Sequence, residues 1–333
     1  MVRAMSSRRS ANLNGSDRPH LQRGLPIAGF SYNFRNCFIV EWNSTMSIFS
    51  RMVVPALIAA FSFVALHIAT MHFAGVPAAF AQSAPAGVDQ PSEETWNSIK
   101  GDIFKDRPIL DGAGLVVLDA PRRAEDSALV PIGMRVNFAA DDQRTLQSLT
   151  LVIDENPAPV AGTFTIGPRS GVTSISTRVR VNSYSYVRLV AELSDGKLYG
   201  VKTFVKASGG CSAPAASNAD ASKSALGQMK FRSFHADAGG QPEAQFMMRH
   251  PQNSGLQMDQ LTRLYIPPFF IENLKIWQGD DLVMAMDGGI AISEDPNVRF
   301  NYKSNGAANF RAEALDTDKH LFKDEWMFEK SML

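Results

Sequence analysis

An all-β fold is predicted: two β-sandwich domains joined by a flexible Gly/Ala/Ser linker, with a short helix at the start of the first. Three observations predict it. From residue 128 onward the apolar residues recur in short runs of period two, the pattern of half-buried strands. Turn signals separate these runs at intervals of about ten residues. Between the two groups lies "ASGGCSAPAASNADASKSALG", residues 207–227, in which Leu226 is the only large aliphatic or aromatic residue. Such a stretch buries too little surface to offset its ordering entropy.

The elements follow in order. "SEETWNSIKGDIFKDRPIL", residues 92–110, places Trp96, Ile99, Ile103 and Phe104 at helical spacing, and Pro108 is expected to end the helix. In "ALVPIGMRVNF", Ile132, Met134, Val136 and Phe138 share one side. "LQSLTLVIDENPAP" reads as a strand entering a turn at Asn156-Pro157. "SISTRVRVNS" sets Ile175, Thr177, Val179 and Val181 on one face and Ser176, Arg178 and Arg180 on the other. "YVRLVAELSDGKLYGVKTFVKAS" reads as a hairpin with a two-residue turn at Asp195-Gly196. Residues 92–206 therefore form the first sandwich. Strands resume with "MKFRSFHA", "AQFMMRHP", "PPFFIENLKIWQGDDLVMAMDGGIAIS", "NVRFNYKS" and "NFRAEAL", which make residues 228–333 the second.

The first 81 residues stand apart. Residues 46–81 have a basic start at Arg51, an apolar run from Met52 and the Ala-x-Ala site of "AFAQ", the layout of a secretory signal peptide cleaved after Ala81. Residues 1–45 lie upstream of that signal and read as a start codon assigned too early. The expected mature protein is periplasmic and free of a membrane anchor. Residues 1–81 hold seven arginines and two acids, which leaves 26 basic and 31 acidic residues and a net charge of −5. A basic excess is lacking, so composition does not favour nucleic-acid binding. Strands do not alternate with long helices, which argues against a dinucleotide-binding fold.

Chemistry narrows to one residue. The sequence has no glycine-rich phosphate loop, no His-Glu-x-x-His, no Gly-x-Ser-x-Gly and no Cys-x-x-Cys. "ISEDP" at 292–296 reads as a solvated turn. Met247, Met248, His250 and Met258 form a Met/His group of the kind that can hold copper(I). Met247 and Met248 point to opposite faces of a strand, so core methionine with a turn histidine is the reading taken and no metal or other cofactor is expected. Of the two cysteines, Cys37 falls in the discarded leader and Cys211 remains. A lone thiol among small residues in an oxidising compartment reads as an exposed, reactive group on a mobile arm rather than as core. Gly209 and Gly210 give that arm flexibility, and at about 3.3 Å per residue it reaches about 20 Å beyond Val205.

These motifs resemble the SoxY and SoxZ proteins of bacterial sulfur oxidation, fused in that order. The SoxY-like part carries "APRRAEDSALVPIGM", "LTLVIDENPAP", "ISTRVRVNS" and "VAELSDGKLYGVKTFVKASGGC"; the SoxZ-like part carries "MMRHPQNSGL", "IPPFFIENLKIWQGDDLV" and "ISEDPNVRFNY". The chain looks in particular like the fused SoxYZ-like carriers associated with quinoprotein (PQQ-dependent) dehydrogenases. The resemblance implies two immunoglobulin-like sandwiches and no enzyme activity. It implies a cysteine, at Cys211, loaded covalently with sulfur intermediates and shown to periplasmic redox or sulfur-processing enzymes. A PQQ-dependent dehydrogenase and a c-type cytochrome are candidate partners, and a non-catalytic adaptor for such a dehydrogenase is the alternative. Gly209, Gly210 and Cys211 match the start of the family's Gly-Gly-Cys-Gly-Gly arm. Ser212 and Ala213 depart from it, and here the arm continues into a second domain.

Overall fold

A computed structural model describes residues 92–214, 224–234 and 240–328. The readings for residues 1–45, for the signal peptide at 46–81, for Cys37 and for the middle of the linker, 215–223, fall outside these residues. Fifteen strands and one helix make up the described elements. In chain order they are α1 (Glu94–Phe104), β1 (Ile109–Asp111), β2 (Val116–Asp119), β3 (Val130–Val136), β4 (Leu146–Ile153), β5 (Val160–Ile166), β6 (Ser174–Val179), β7 (Ser185–Leu193) and β8 (Leu198–Val205). The second half supplies β9 (Met229–Phe234), β10 (Glu243–Met248), β11 (Ile271–Gln278), β12 (Asp281–Gly288), β13 (Asn297–Asn301), β14 (Asn309–Asp316) and β15 (Leu321–Met327).

The fold class is the expected one, and the way the halves join is the new finding. A nine-stranded sheet runs β1-β8-β7-β4-β5-β12-β11-β14-β15, and a six-stranded sheet runs β2-β3-β6-β13-β10-β9. Each sheet therefore crosses from one half to the other without a break. β5 pairs with β12 antiparallel, Phe164 opposite Met286, and β6 pairs with β13, Ser176 opposite Arg299. Edge strands expose unpaired backbone groups, and here four such edges satisfy one another. Close approach at this seam uses Gly167: a Cβ there would lie 1.7 Å from the Leu282 carbonyl oxygen. One hydrophobic core runs between the sheets, from Val130, Ile132, Leu149 and Phe164 through Met284, Phe300 and Phe310.

Alternation in sequence became alternation in burial. β3 buries Val130, Ile132, Met134 and Val136, and β14 buries Phe310, Ala312, Ala314 and Asp316. β4 departs from it: Leu149, Thr150, Leu151, Val152 and Ile153 are all buried. Its second face is covered by α1, whose Trp96 and Phe104 pack on Val152, Val190 and Leu198. Arg188 fastens the helix. Its guanidinium lies 4.4 Å from the Trp96 ring centroid and bonds Asp154 on the sheet and Glu93 before the helix.

Two local readings need correction. The helix ends at Phe104, before Pro108 can act, because Lys105 and Asp106 adopt left-handed conformations (φ 55° and 57°). The Asp195-Gly196 hairpin does not use a two-residue turn. The Gly196 N–H donates to the Leu193 carbonyl and the Leu193 N–H to the Lys197 carbonyl. With Gly196 at φ 72°, this is a three-residue loop with a glycine bulge.

Candidate functional site

The site lies where β6 leaves the six-stranded sheet at the seam between the halves. β6 ends at Val179, and the chain continues as Arg180, Val181 and Asn182. The Arg180 N–H donates to the Ala291 carbonyl at 2.7 Å, and Ser293 N–H to the Arg178 carbonyl at 3.1 Å. Ser293 Oγ reaches across to the Ala128 carbonyl at 2.7 Å. "ISEDP" is thus part of this seam: Ser293 and Glu294 are buried, which corrects the reading of 292–296 as a solvated turn. An Asp-Pro sequence signals a turn but not what will pack over it.

After β8 the chain folds back onto this seam. The Gly209 N–H donates to the Asn182 carbonyl at 2.7 Å and the Gly210 N–H to the Val181 carbonyl at 3.1 Å. Ser127 Oγ donates to the Ser208 carbonyl at 2.7 Å. Arg180 Nη1 donates to the Gly210 carbonyl at 3.1 Å, Ser254 Oγ to the Cys211 carbonyl, and Gln257 Nε2 to the Ala213 carbonyl at 2.9 Å. Residues 208–213 are therefore held chiefly through their backbone, by side chains from both halves. Gly209 sits at φ 75°, in the left-handed region. A Cβ on Gly210 would lie 2.1 Å from the Ser127 carbonyl oxygen and 2.6 Å from that of Val181. These glycines serve the docked geometry directly, a role that their reading as flexible links did not include.

Cys211 is fully buried. This corrects the expectation of an exposed thiol: the small neighbours that argued against burial are what let the arm lie flat in a narrow seam. Burial pushes the Cys211 thiol up to about 11, and the Arg180 cation beside it offsets only part of that. In this buried setting the sulfur is a neutral, shielded thiol with little nucleophilic character. Arg180 is 1% exposed, and its Nε has no hydrogen-bond partner. Burial pulls its pKa down, while Cys211, Glu294 and Asp126 act to hold it up. Asn156 braces the same turn, donating to the Arg180 carbonyl at 2.8 Å and accepting the Asn182 N–H at 2.8 Å.

The structure brings Gly209, Gly210 and Cys211 together with Ser127, Arg180, Ser254 and Gln257, four residues that the sequence did not single out. Arg180 was placed on the polar face of "SISTRVRVNS"; β6 ends one residue before it, and Arg180 is buried. Ser254 and Gln257 belong to "HPQNSG" and the loop after it. Gln252 of that turn is buried at φ 49° and accepts the Ile271 N–H at 2.7 Å. The Met/His group does not assemble. Met248 and His250 are buried, Met247 lies on the opposite face from Met248, and Met258 is exposed. Among the described residues, no group of three or more His, Cys, Asp or Glu side chains is placed to hold a metal ion.

Residues 100–211 match the family model "Sulfur oxidation protein SoxY", and residues 230–327 match "Sulphur oxidation protein SoxZ". The first match ends on Cys211 itself. Among solved structures, the chain is similar to the sulfur carrier protein SoxY from Chlorobium limicola f thiosulfatophilum. The identity is 22% over 34% of this chain and 92% of that one, with a TM-score of 0.29. It also resembles a superoxide reductase (neelaredoxin) from Ignicoccus hospitalis, at 9% identity over 28% of this chain and 79% of that one, with a TM-score of 0.25. No curated protein sequence matches the chain. With a SoxY domain followed by a SoxZ domain across most of its described residues, the chain is a fused SoxY–SoxZ-like protein, of the carrier rather than the catalytic components of sulfur oxidation.

Proposed function

We propose that this protein is a periplasmic covalent carrier whose Cys211 holds a sulfur-containing or other thiol-reactive intermediate and presents it to partner enzymes. The observation that carries the reading is how the arm is fixed. Its backbone is tied by hydrogen bonds to the Ser127, Arg180, Ser254 and Gln257 side chains and to the Val181 and Asn182 carbonyls, each worth about 0.5–3 kcal/mol net. A segment without bulky side chains and with a few such bonds can leave its seam and return. Docked, it shields the thiol; released, the thiol regains ordinary reactivity. Processing enzymes of sulfur oxidation are the partners this favours, and a PQQ-dependent dehydrogenase or a c-type cytochrome is the narrower assignment.

One observation favours a second reading. A fully buried Cys211 also suits a non-catalytic adaptor of a quinoprotein dehydrogenase, in which the cysteine is a small core residue. The decisive experiment is the intact, non-reduced mass of the protein taken from the periplasm, with peptide mapping across Cys211. A reducible adduct on Cys211 supports the carrier and identifies the cargo. An unmodified thiol under conditions where the protein is required, together with full function of Cys211→Ser, establishes the adaptor.

A further inference from the structure

The outer face of the six-stranded sheet carries a cavity of about 630 Å³ that neither reading uses. Arg178, Lys230, Arg232 and Arg249 line it, with Asp295 as the one carboxylate. The strand register puts them there. Lys230 and Arg232 point outward from β9, opposite Met247 and Gln245 of β10, and Met247 in turn faces Asn297 of β13. Arg178 points outward from β6 on the same face. The charges do not cancel. Asp295 pairs with Arg249, and Arg178 Nη2 donates only to the Asp295 backbone carbonyl. Arg178 Nε is without a hydrogen-bond partner. Lys230 and Arg232 make no ion pair among the described residues. Among the described residues, three cations without an ion-pair partner thus face one concavity in a chain whose residues beyond 81 are net acidic.

We propose that this cavity is a non-covalent binding site for a small tetrahedral oxyanion of the sulfate or phosphate class. Clustered cations at a concave site repel one another and gain most when a multiply charged anion replaces water between them. The volume lies in the range of small-ligand sites and holds such an anion with part of its hydration shell. A recess walled by β6, β9, β10 and the 295–297 segment suits a small anion better than a flat protein partner. The site is distinct from the cysteine. Arg178 lies within β6 and Arg180 two residues on, past its end at Val179; the 208–213 segment bonds Arg180, while Arg178 lines the cavity.

The test is calorimetric titration of the purified protein with sulfate, thiosulfate and phosphate at constant ionic strength in chloride. Saturable one-to-one binding is expected. It should weaken about tenfold or more in Arg178→Gln and measurably in the exposed pair Lys230→Gln/Arg232→Gln, while Cys211→Ser leaves it unchanged. Absence of saturable binding, or binding indifferent to both sets of variants, overturns the proposal. Binding of polyglutamate with none of the inorganic anions also overturns it and assigns the face to an acidic polypeptide.

Discussion

Arg178 lies in β6 and Arg180 just past its end, two residues apart in sequence, yet they meet opposite surroundings. Arg180 is 1% exposed, capped by the Gly209–Cys211 turn and bonded to the Gly210 carbonyl. Arg178 is half-buried and opens onto a basic cavity. The difference comes entirely from what the rest of the chain lays over them. An arm returning from β8 covers one; the edge-to-edge pairing of β6 with β13 places β9 and β10 beside the other. The covered arginine holds the 208–213 segment; the open one lines the proposed anion site.

The strongest way to break this contrast is Gly210→Val. Its Cβ has no room against the Ser127 and Val181 carbonyls, so the arm should not dock. The thiol then moves from about 11 to its ordinary value near 9.0. Alkylation of Cys211 by iodoacetamide at pH 7 should rise about 100-fold, two pKa units' worth of thiolate. An unchanged rate would show that docking does not shield the sulfur.

The same shift has a pH signature. The docked thiol keeps its proton to higher pH than the released one, so docking is fully favoured below pH 9 and is lost as pH rises through about 11. Thiolate absorbance near 240 nm should titrate near 11 in the native protein and near 9 in Gly210→Val. Coincident titrations would remove the case for a buried docked state.

Arg180→Leu deletes a charged donor to the Gly210 carbonyl, a bond worth about 1.5–3 kcal/mol, so alkylation should rise about ten- to a hundredfold. Ser254→Ala and Gln257→Ala remove neutral donors worth about 1 kcal/mol each, for about a fivefold rise apiece. Arg178→Gln sharpens the contrast from the other side, since alkylation should stay within about twofold of the native rate. A large change there would mean that the two arginines share one site.

Much of the fold was legible. Period-two runs in "PIGMRV" and "NFRAEALD" translate directly into β3 and β14, because one face of each meets the core. β4 was legible as a strand but not as one buried twice, since its second cover is a helix 40 residues away in sequence. β15 was not foreseen: "LFKDEWM" is mostly exposed at the sheet edge and shows only Phe322 and Trp326 as its inward pair. Of the proposed site, Cys211 and its glycines stood out by their composition, but the buried placement of Cys211 did not. Ser127, Arg180, Ser254 and Gln257 were not, because a hydrogen bond to a distant carbonyl leaves no local pattern.

The sequence by itself determined the strand periods, the order of the two domains and the one cysteine placed in a stretch of small residues. Those are local properties, set by side-chain alternation and by turn chemistry. Only the tertiary structure decided that the halves share both sheets, that Cys211 is sheltered at their seam, and that three cations without an ion-pair partner among the described residues face one cavity. Each depends on which strand edges and loops find one another, and residues far apart in sequence must meet before any of it exists.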